Sequence, residues 1–281
     1  MTAPLGRVLI VGNNPELAAA LVSSTQMRDY EIDSCAGSVE ALNWIRAHAV
    51  DVAITDLGTS MSENLALADE VSRVRPGVRV IVLAARTSRE DIIASLRAHI
   101  FACFTIPLDY PAIVDMIRRA LDATNWRDGI EVVSGLPNWF TLRVASHLLT
   151  AERLIHFMSE YQSALPEEQR DLLMTAFREM LINAIEHGSG FDSEKVIEVT
   201  AARTARAIVY HFRDQGPGFD RRLVPHAAAS LDPTDILATM EYRAGLGLRP
   251  GGLGVLITRA IADELVFNER GNEVLLIKHL S

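Results

Sequence analysis

The sequence predicts two α/β units: an N-terminal doubly wound sheet of five parallel strands, and a C-terminal α/β sandwich with a mostly antiparallel sheet. Over the first 122 residues, short β-branched runs alternate with helical patterns, which is typical of a parallel sheet with helices on both faces. A polar stretch with glycine and proline then breaks both periodicities. Beyond it, two strand patterns follow each other closely enough for a hairpin. We expect domains at 1–124 and 137–281, joined by a linker at 125–136.

The amino-acid composition excludes several classes of function. The chain has 281 residues, 49% hydrophobic and 22% charged, as in a folded globular protein. Its net charge of −9 argues against nucleic acid or an anionic membrane as the main partner. Cys35 and Cys103 stand alone among apolar neighbours, which favours buried thiols in a reducing compartment. No secretory signal and no run of the ~20 apolar residues that a membrane span needs is present. We therefore expect a cytoplasmic protein.

The first half contains five strand–helix units. The strands are predicted at Arg7–Val11, Tyr30–Ser34, Asp51–Thr55, Val78–Ala85 and Phe101–Phe104, and helices at about 15–21, 39–45, 88–97 and 110–121. In such sheets, ligands and chemistry lie at the carboxyl ends of the strands. Asp56 directly follows the third strand, in TDLGTS.

This half resembles the receiver domain of two-component response regulators, because receivers carry their phosphorylated aspartate where Asp56 falls. Other positions depart from that family. Gly12 and Asn13 replace the acidic pair, Ala84 replaces the hydroxyl residue, and Ile106 replaces the lysine before Pro107. Magnesium prefers several oxygen ligands, and the missing groups would also have stabilised the phosphoryl oxygens. We expect a receiver-shaped module without its switch, which dimerises or docks a partner; Asp56 as a phosphoacceptor remains an alternative.

The second half begins with a strand at Phe140–Ser146 and a helix at Thr150–Leu165. A second helix, Leu172–Gly188, is apolar over most of its circumference, which predicts burial. Glu179, Asn183 and His187 are spaced four residues apart on it and are expected to form one polar stripe. Such groups either bond to neighbouring backbone or face a ligand and a metal.

Two glycine-containing motifs follow. The strands Val196–Ala202 and Ala207–Arg213 lead into DQGPGFD, in which Asp214, Gly216 and Gly218 form Asp-x-Gly-x-Gly. Later, Gly251, Gly252, Leu253 and Gly254 directly precede a helix predicted at Val255–Leu265. Glycines at a helix start let backbone amides approach an anion, and the helix dipole adds to the attraction.

In this order, the polar stripe and the two motifs resemble the N, first-glycine and second-glycine boxes of the GHKL (Bergerat) ATP-binding fold. The resemblance implies ATP and Mg²⁺ as cofactors. It implies that Asn183 ligates the metal, Glu179 is the catalytic base and Asp214 binds the adenine amino group. Nucleotide contacts are implied for His187, Gly216, Gly218, Gly252, Leu253 and Gly254. Residues 220–245 would form the mobile ATP lid.

The phrase E-x-x-x-N-A-x-x-H-G most resembles the anti-sigma-factor serine-kinase branch of that superfamily. The resemblance implies a protein partner, such as a sigma factor or an anti-sigma antagonist, and a homodimer. Sensor histidine kinases place a phosphoacceptor helix pair before this domain, and no room for one exists between Leu121 and Phe140. Three functions remain open: an ATP-dependent serine/threonine protein kinase, a non-catalytic ATP-dependent interaction switch, and a two-component phosphotransfer protein acting through Asp56.

Overall fold

The computed structural model describes residues 5–56, 60–123, 128–218 and 253–280. The chain divides into two compact units, 1–128 and 129–281. Within the described residues, no helix is long and apolar enough to cross a membrane.

The first unit is a parallel sheet in the order β2-β1-β3-β4-β5. Its strands are β1 (Arg7–Gly12), β2 (Glu31–Cys35), β3 (Val52–Asp56), β4 (Arg79–Ala84) and β5 (Ala102–Thr105). The central strands are buried on both faces, as expected for strands covered by helices. The predicted doubly wound sheet is confirmed.

Five α-helices connect these strands: α1 (Pro15–Ser23), α2 (Ser38–Ala47), α3 (Met61–Val74), α4 (Arg89–Arg97) and α5 (Tyr110–Asp122). Most begin at a polar cap. Asn14, Ser60, Ser88 and Asp109 each accept a hydrogen bond from a backbone amide in the first turn. Asn14 is the cap that also reaches the carboxyl edge of the sheet.

The second unit is a six-stranded antiparallel sheet in the order β10-β11-β9-β8-β7-β6. Its strands are β6 (Ile130–Leu136), β7 (Trp139–Ala145), β8 (Val196–Arg203), β9 (Ala207–Arg213), β10 (Glu264–Phe267) and β11 (Glu273–His279). Its helices are α6 (Leu148–Tyr161), α7 (Glu167–Asn183), which continues as a π turn (Ala184–Ser189), and α8 (Leu253–Ile261). The predicted C-terminal architecture is therefore also confirmed.

One face of this sheet packs against α6 and α7. Alternate side chains of β7, β8 and β9 are buried, which is the period-2 pattern of a sheet with one covered face. On α7, the Phe177 ring lies 4.8 Å from that of Tyr210 and 5.0 Å from that of Phe212, centroid to centroid. This aromatic contact fixes α7 over the strand that leads into the Asp214 motif.

Two boundaries differ from those the sequence predicted. Residues 130–136, assigned to the linker, form β6; a β-bulge between Val132 and Ser134 interrupts the alternation by which a strand is recognised. The last helix ends at Ile261; residues 264 and 265, which the predicted helix Val255–Leu265 included, belong to β10 beside β11. A short apolar run fits a helix or a strand equally well from its sequence alone. Here the hydrogen-bonded pairing with β11 makes it a strand.

Candidate nucleotide-binding site

The C-terminal end of α7 carries the predicted polar stripe at the border of the core. Leu173, Phe177, Met180 and Leu181 on the same helix are buried, whereas Glu179 and Asn183 are half-buried. His187 is exposed, contrary to the expected three-residue stripe on a buried element. It lies in the π turn, where a wider helical repeat removes it from the register that Glu179 and Asn183 share.

The π turn brings Gly188 into direct contact with the Asp214 motif. A Cβ atom on Gly188 would overlap the carboxyl carbon of Asp214, and one on Gly216 would overlap the carbonyl oxygen of Gly188. A side chain at Gly188 would displace the Asp214 side chain, and one at Gly216 would displace the backbone of Gly188. Gly188 was absent from the predicted site residues, although it directly follows His187 in the sequence. The structure thus joins the end of α7 to the Asp-x-Gly-x-Gly turn.

Asp214 is half-buried at the end of β9, and burial raises the pKa of its carboxyl. The amide of Gly216 opposes this rise by donating a 2.8 Å hydrogen bond to Oδ1. The backbone of Asp214 is fixed by Asn272: the Asp214 amide donates to the Asn272 carbonyl, and Asn272 Nδ2 donates to the Asp214 carbonyl, both at 3.0 Å. The site therefore presents a carboxylate that is held rigidly and partly removed from water.

Gly254 places the start of α8 against the other end of the stripe. A Cβ atom there would overlap Glu179 Oε2 and lie 3.3 Å from Asn183 Nδ2. Gly254 itself is buried, and its carbonyl accepts a 2.8 Å hydrogen bond from the buried Thr258 hydroxyl. Leu253 is the first residue of α8. Glu179, Asn183 and Gly254 thus form one cluster, next to the cluster of Gly188, Asp214 and Gly216.

Among the described residues, Gly218 belongs to neither cluster. Gly218 has φ +79°, and a Cβ on it would overlap the carbonyl oxygen of Arg270, so the structure places it against the β10–β11 connection. Gly252 and the expected ATP lid at 220–245 lie outside the described residues.

The residues present fit Mg²⁺ bound together with a nucleotide. Within the described ranges, no group of three or more histidine, cysteine, aspartate or glutamate side chains could hold a metal. The Asn183 amide and the Glu179 carboxylate, one turn apart on α7, offer hard oxygen atoms, and phosphate oxygens and water would have to complete the shell.

Asp56, at the end of β3, has a different neighbour from the one expected. Asn14 Nδ2 donates a 2.7 Å hydrogen bond to Asp56 Oδ2. Gly12 pairs with Asp56 in the sheet and has φ +123°, and a Cβ there would overlap the Asp56 carbonyl. Asn14, rather than the predicted Asn13, therefore occupies the place beside the carboxylate. An amide N–H facing Asp56 does not fit a magnesium site that needs further carboxylates.

The chain matches known families in both halves. Residues 144–278 match the family described as the histidine kinase-like ATPase domain, and residues 8–118 match the response regulator receiver domain. Both domain-level resemblances are thereby confirmed. The match to the ATPase family includes α7, the Asp214 motif and α8.

Two curated relatives are similar over part of the chain. The transcriptional regulatory protein GlrR of Escherichia coli (strain K12) is 30% identical over 135 residues, which cover 46% of this chain and 30% of that protein. The signal transduction histidine-protein kinase AfsQ2 of Streptomyces coelicolor is 24% identical over 177 residues, which cover 62% of this chain and 27% of that protein. The chain thus spans less than a third of the length of either.

Solved receiver structures are also similar. A CheY-like receiver domain protein from Methanospirillum hungatei JF-1 is 24% identical, with a TM-score of 0.37, covering 42% of this chain and 94% of that chain. A response regulator from Thermotoga maritima is 17% identical, with a TM-score of 0.38, covering 43% of this chain and 100% of that chain.

Proposed function

We propose that this chain, which joins a response regulator receiver domain to a histidine kinase-like ATPase domain, binds ATP and phosphorylates or sequesters a small regulatory protein, as an anti-sigma-type serine kinase would. The observation that supports this most directly is the arrangement of two clusters along one helix end. Gly188, Asp214 and Gly216 meet at the π turn, and Glu179 and Asn183 meet the start of α8.

The Asp214 cluster is suited to the adenine base. An ionised carboxylate accepts a hydrogen bond from an exocyclic amino group, and partial burial strengthens that bond. The Gly216 amide holds one carboxylate oxygen in place. Because side chains are absent at Gly188 and Gly216, the end of α7 and the Asp214 turn pack directly against each other, which fixes the carboxylate in position.

The other cluster is suited to the phosphates. Asn183 would ligate Mg²⁺, which neutralises phosphate charge when bound. Gly252, Leu253 and Gly254 would supply backbone amides at the start of α8, where the helix dipole favours an anion. His187 and Gly218 would border the nucleotide.

Glu179 is the proposed catalytic base. A serine or threonine hydroxyl of the partner attacks the γ-phosphorus, the bond to the bridging oxygen breaks, ADP leaves, and Glu179 accepts the hydroxyl proton. The adjacent Arg178 is hydrogen-bonded to Glu152 on α6 rather than to Glu179, at 2.8 and 2.5 Å.

The partner proposed is a sigma factor or an anti-sigma antagonist, bound by a homodimer of this chain, and the receiver domain would control the interaction. The net charge of −9 supports a protein partner over nucleic acid. A cytoplasmic location is part of the same proposal. Phosphotransfer through Asp56 is not supported, because Asn14 occupies the carboxylate's neighbourhood.

Calorimetric titration with Mg²⁺ and ATP tests the nucleotide site. Asp214→Asn should weaken ATP binding by about 10- to 100-fold, since a hydrogen bond to a charged group is lost. Asp171→Asn, an exposed aspartate near the start of α7, is the matched control and should bind as the wild type does. A flat titration of the wild type at millimolar ATP would refute the proposal.

Labelled ATP with candidate partners separates the kinase from the non-catalytic switch. Glu179→Gln should slow phosphoryl transfer by about a hundredfold or more, because general-base assistance is lost, while ATP still binds. Glu186→Gln, exposed in the π turn, is the control. ATP-dependent partner binding without any transfer by the wild type would establish the switch instead.

A further inference from the structure

The connection between β10 and β11, residues 268–272, lies against the Asp214–Gly218 turn. The Arg270 guanidinium donates to two carbonyl oxygens of that turn, to Gly216 at 3.0 Å and to Pro217 at 3.4 Å. The Arg270 carbonyl also meets Gly218, which is left-handed at φ +79°. One residue, 54 positions from Gly216 in sequence, thus contacts the turn from both its side chain and its backbone.

The connection is itself rigid. Asn268 Oδ1 accepts hydrogen bonds from the amides of Gly271, Asn272 and Glu273, at 2.7, 3.1 and 3.2 Å. Asn268 Nδ2 donates to Asn272 Oδ1 at 3.0 Å. Asn272, only 7% exposed, makes the two backbone hydrogen bonds to Asp214 described above. The turn therefore rests on a preformed loop rather than on a flexible one.

Arg270 also acts on Asp214 electrostatically. Burial raises the pKa of the Asp214 carboxyl, and the positive charge of Arg270 lowers it, together with the hydrogen bond from Gly216. Arg270 therefore favours the ionised form, which is the form that accepts a hydrogen bond from an amino group.

We propose that Arg270 and Asn272 are positioning residues for nucleotide binding, which hold the Asp214–Gly218 turn in its ligand-accepting geometry. This inference rests on the proposed ATP site. It adds to that site two residues that lie outside the polar stripe and both glycine motifs, and that act through Asp214 rather than on the ligand.

A pH titration distinguishes this role from simple support of the fold. ATP affinity should fall at low pH as Asp214 becomes protonated. Replacing Arg270 by a neutral residue raises the pKa of Asp214 further, so that the loss of affinity should begin at a higher pH. The fall of ATP affinity at low pH is called the acid limb. If Arg270 merely stabilised the sheet, replacing it would lower the melting temperature without changing the pH at which the acid limb begins.

The experiment measures Mg²⁺–ATP affinity of the full chain by calorimetry at a series of pH values from neutral down to the lowest pH at which the chain stays folded, because burial raises the pKa of Asp214 above its ordinary value. Arg270→Gln should weaken binding by about three- to tenfold at neutral pH, as for a lost hydrogen bond of a charged group, and should move the acid limb upward. Arg270→Lys should keep the acid limb near its wild-type position, because the charge remains, with an intermediate affinity.

Arg206→Gln is the matched control, because Arg206 is exposed in the β8–β9 hairpin, at the other end of β9 from Asp214. It should bind ATP as the wild type does. An Arg270→Gln variant with wild-type affinity and acid limb overturns this inference while the ATP site stands. A wild type that binds no ATP overturns both. If the glutamine variant does not fold, Arg270→Lys tests the geometry: a lysine cannot reproduce both guanidinium hydrogen bonds, so wild-type ATP affinity in that variant overturns the inference.

Discussion

Asn14 donates a 2.7 Å hydrogen bond through Nδ2 to Oδ2 of Asp56, across the carboxyl edge of the parallel sheet. The same Asn14 caps α1 by accepting a bond from the Leu17 amide at 2.8 Å through Oδ1. One amide therefore serves the helix start with its oxygen and the carboxylate with its nitrogen. The Asp56 side chain has its hydrogen bond within the protein, without any phosphoryl group.

We expect this pair to make Asp56 unreactive towards small phosphodonors. Acetyl phosphate with Mg²⁺ should produce no phosphoaspartate, because neither the acidic pair nor the lysine of receivers is present. Phosphate-affinity electrophoresis measures this, with Asp56→Asn as the blank. A slower-migrating band in the wild type that the Asp56→Asn variant lacks would show that Asp56 is a phosphoacceptor and would contradict this prediction.

Asn14→Asp should destabilise the receiver domain. The substitution replaces a donor with a second carboxylate, and losing a hydrogen bond to a charged group costs about 2 kcal/mol. Denaturant unfolding of the full chain, followed by circular dichroism, measures the loss. Asn13→Asp, an exposed neighbour, should have little effect. Equal stability of the two variants would show that the Asn14–Asp56 bond contributes nothing.

Gly188→Ala should disrupt nucleotide binding. Its Cβ would overlap the Asp214 carboxyl, and relieving such overpacking costs about 1–3 kcal/mol. We expect ATP affinity to fall by about tenfold or more as the turn is displaced. Calorimetry measures the change, with Gly77→Ala as control, because a Cβ there meets nothing within 4 Å. Unchanged affinity would mean that the nucleotide does not use this turn.

Asp214→Asn should raise the stability of the nucleotide-free protein at neutral pH while weakening ATP binding. Burial raises the pKa of the folded-state carboxyl above its unfolded value, so the ionised side chain destabilises the fold above that pKa. The penalty disappears as the pH falls through the folded-state pKa. The gain in melting temperature should therefore be present at pH 7 and vanish in acid, which thermal unfolding at both pH values measures.

Glu152→Gln should slow phosphoryl transfer while leaving ATP binding intact. Removing the carboxylate frees Arg178, which already interacts electrostatically with Glu179, to form an ion pair with it and occupy the oxygen that would take the hydroxyl proton. The lost ion pair is partly exposed, so stability should fall by about 1 kcal/mol or less. Transfer rates and ATP affinity, measured side by side with Glu186→Gln, check this. A transfer rate equal to that of the control would show that Arg178 has no influence on Glu179.

The sequence predicted the repeated strand–helix units and the antiparallel hairpin because the spacing of apolar residues follows directly from which side chains are buried. It missed β6, in which a bulge interrupts the alternation, and it placed His187 in a stripe because a regular helical repeat was assumed. Asn14 was missed because its contact with Asp56 spans 42 positions.

The residues of the candidate site divide in the same way, into those that belong to a local sequence motif and those that do not. Glu179, Asn183, Asp214, Gly216 and Gly254 were named from motifs, and the structure brings them together along the end of α7. Gly188 and Arg270 were not, because a close backbone approach and a bond between residues 54 positions apart leave no local pattern. Nucleotide binding at these residues stays a prediction.

The π turn at Ala184–Ser189 sets the direction in which Gly188 faces relative to Glu179 and Asn183 on the same helix. Each residue of a regular helix turns the chain by about 100°, so removing one residue here would swing Gly188 away from Asp214. The helix core and the sheet would survive such a deletion, because both lie before or beyond it. That one residue therefore decides whether the end of α7 meets the Asp214 turn.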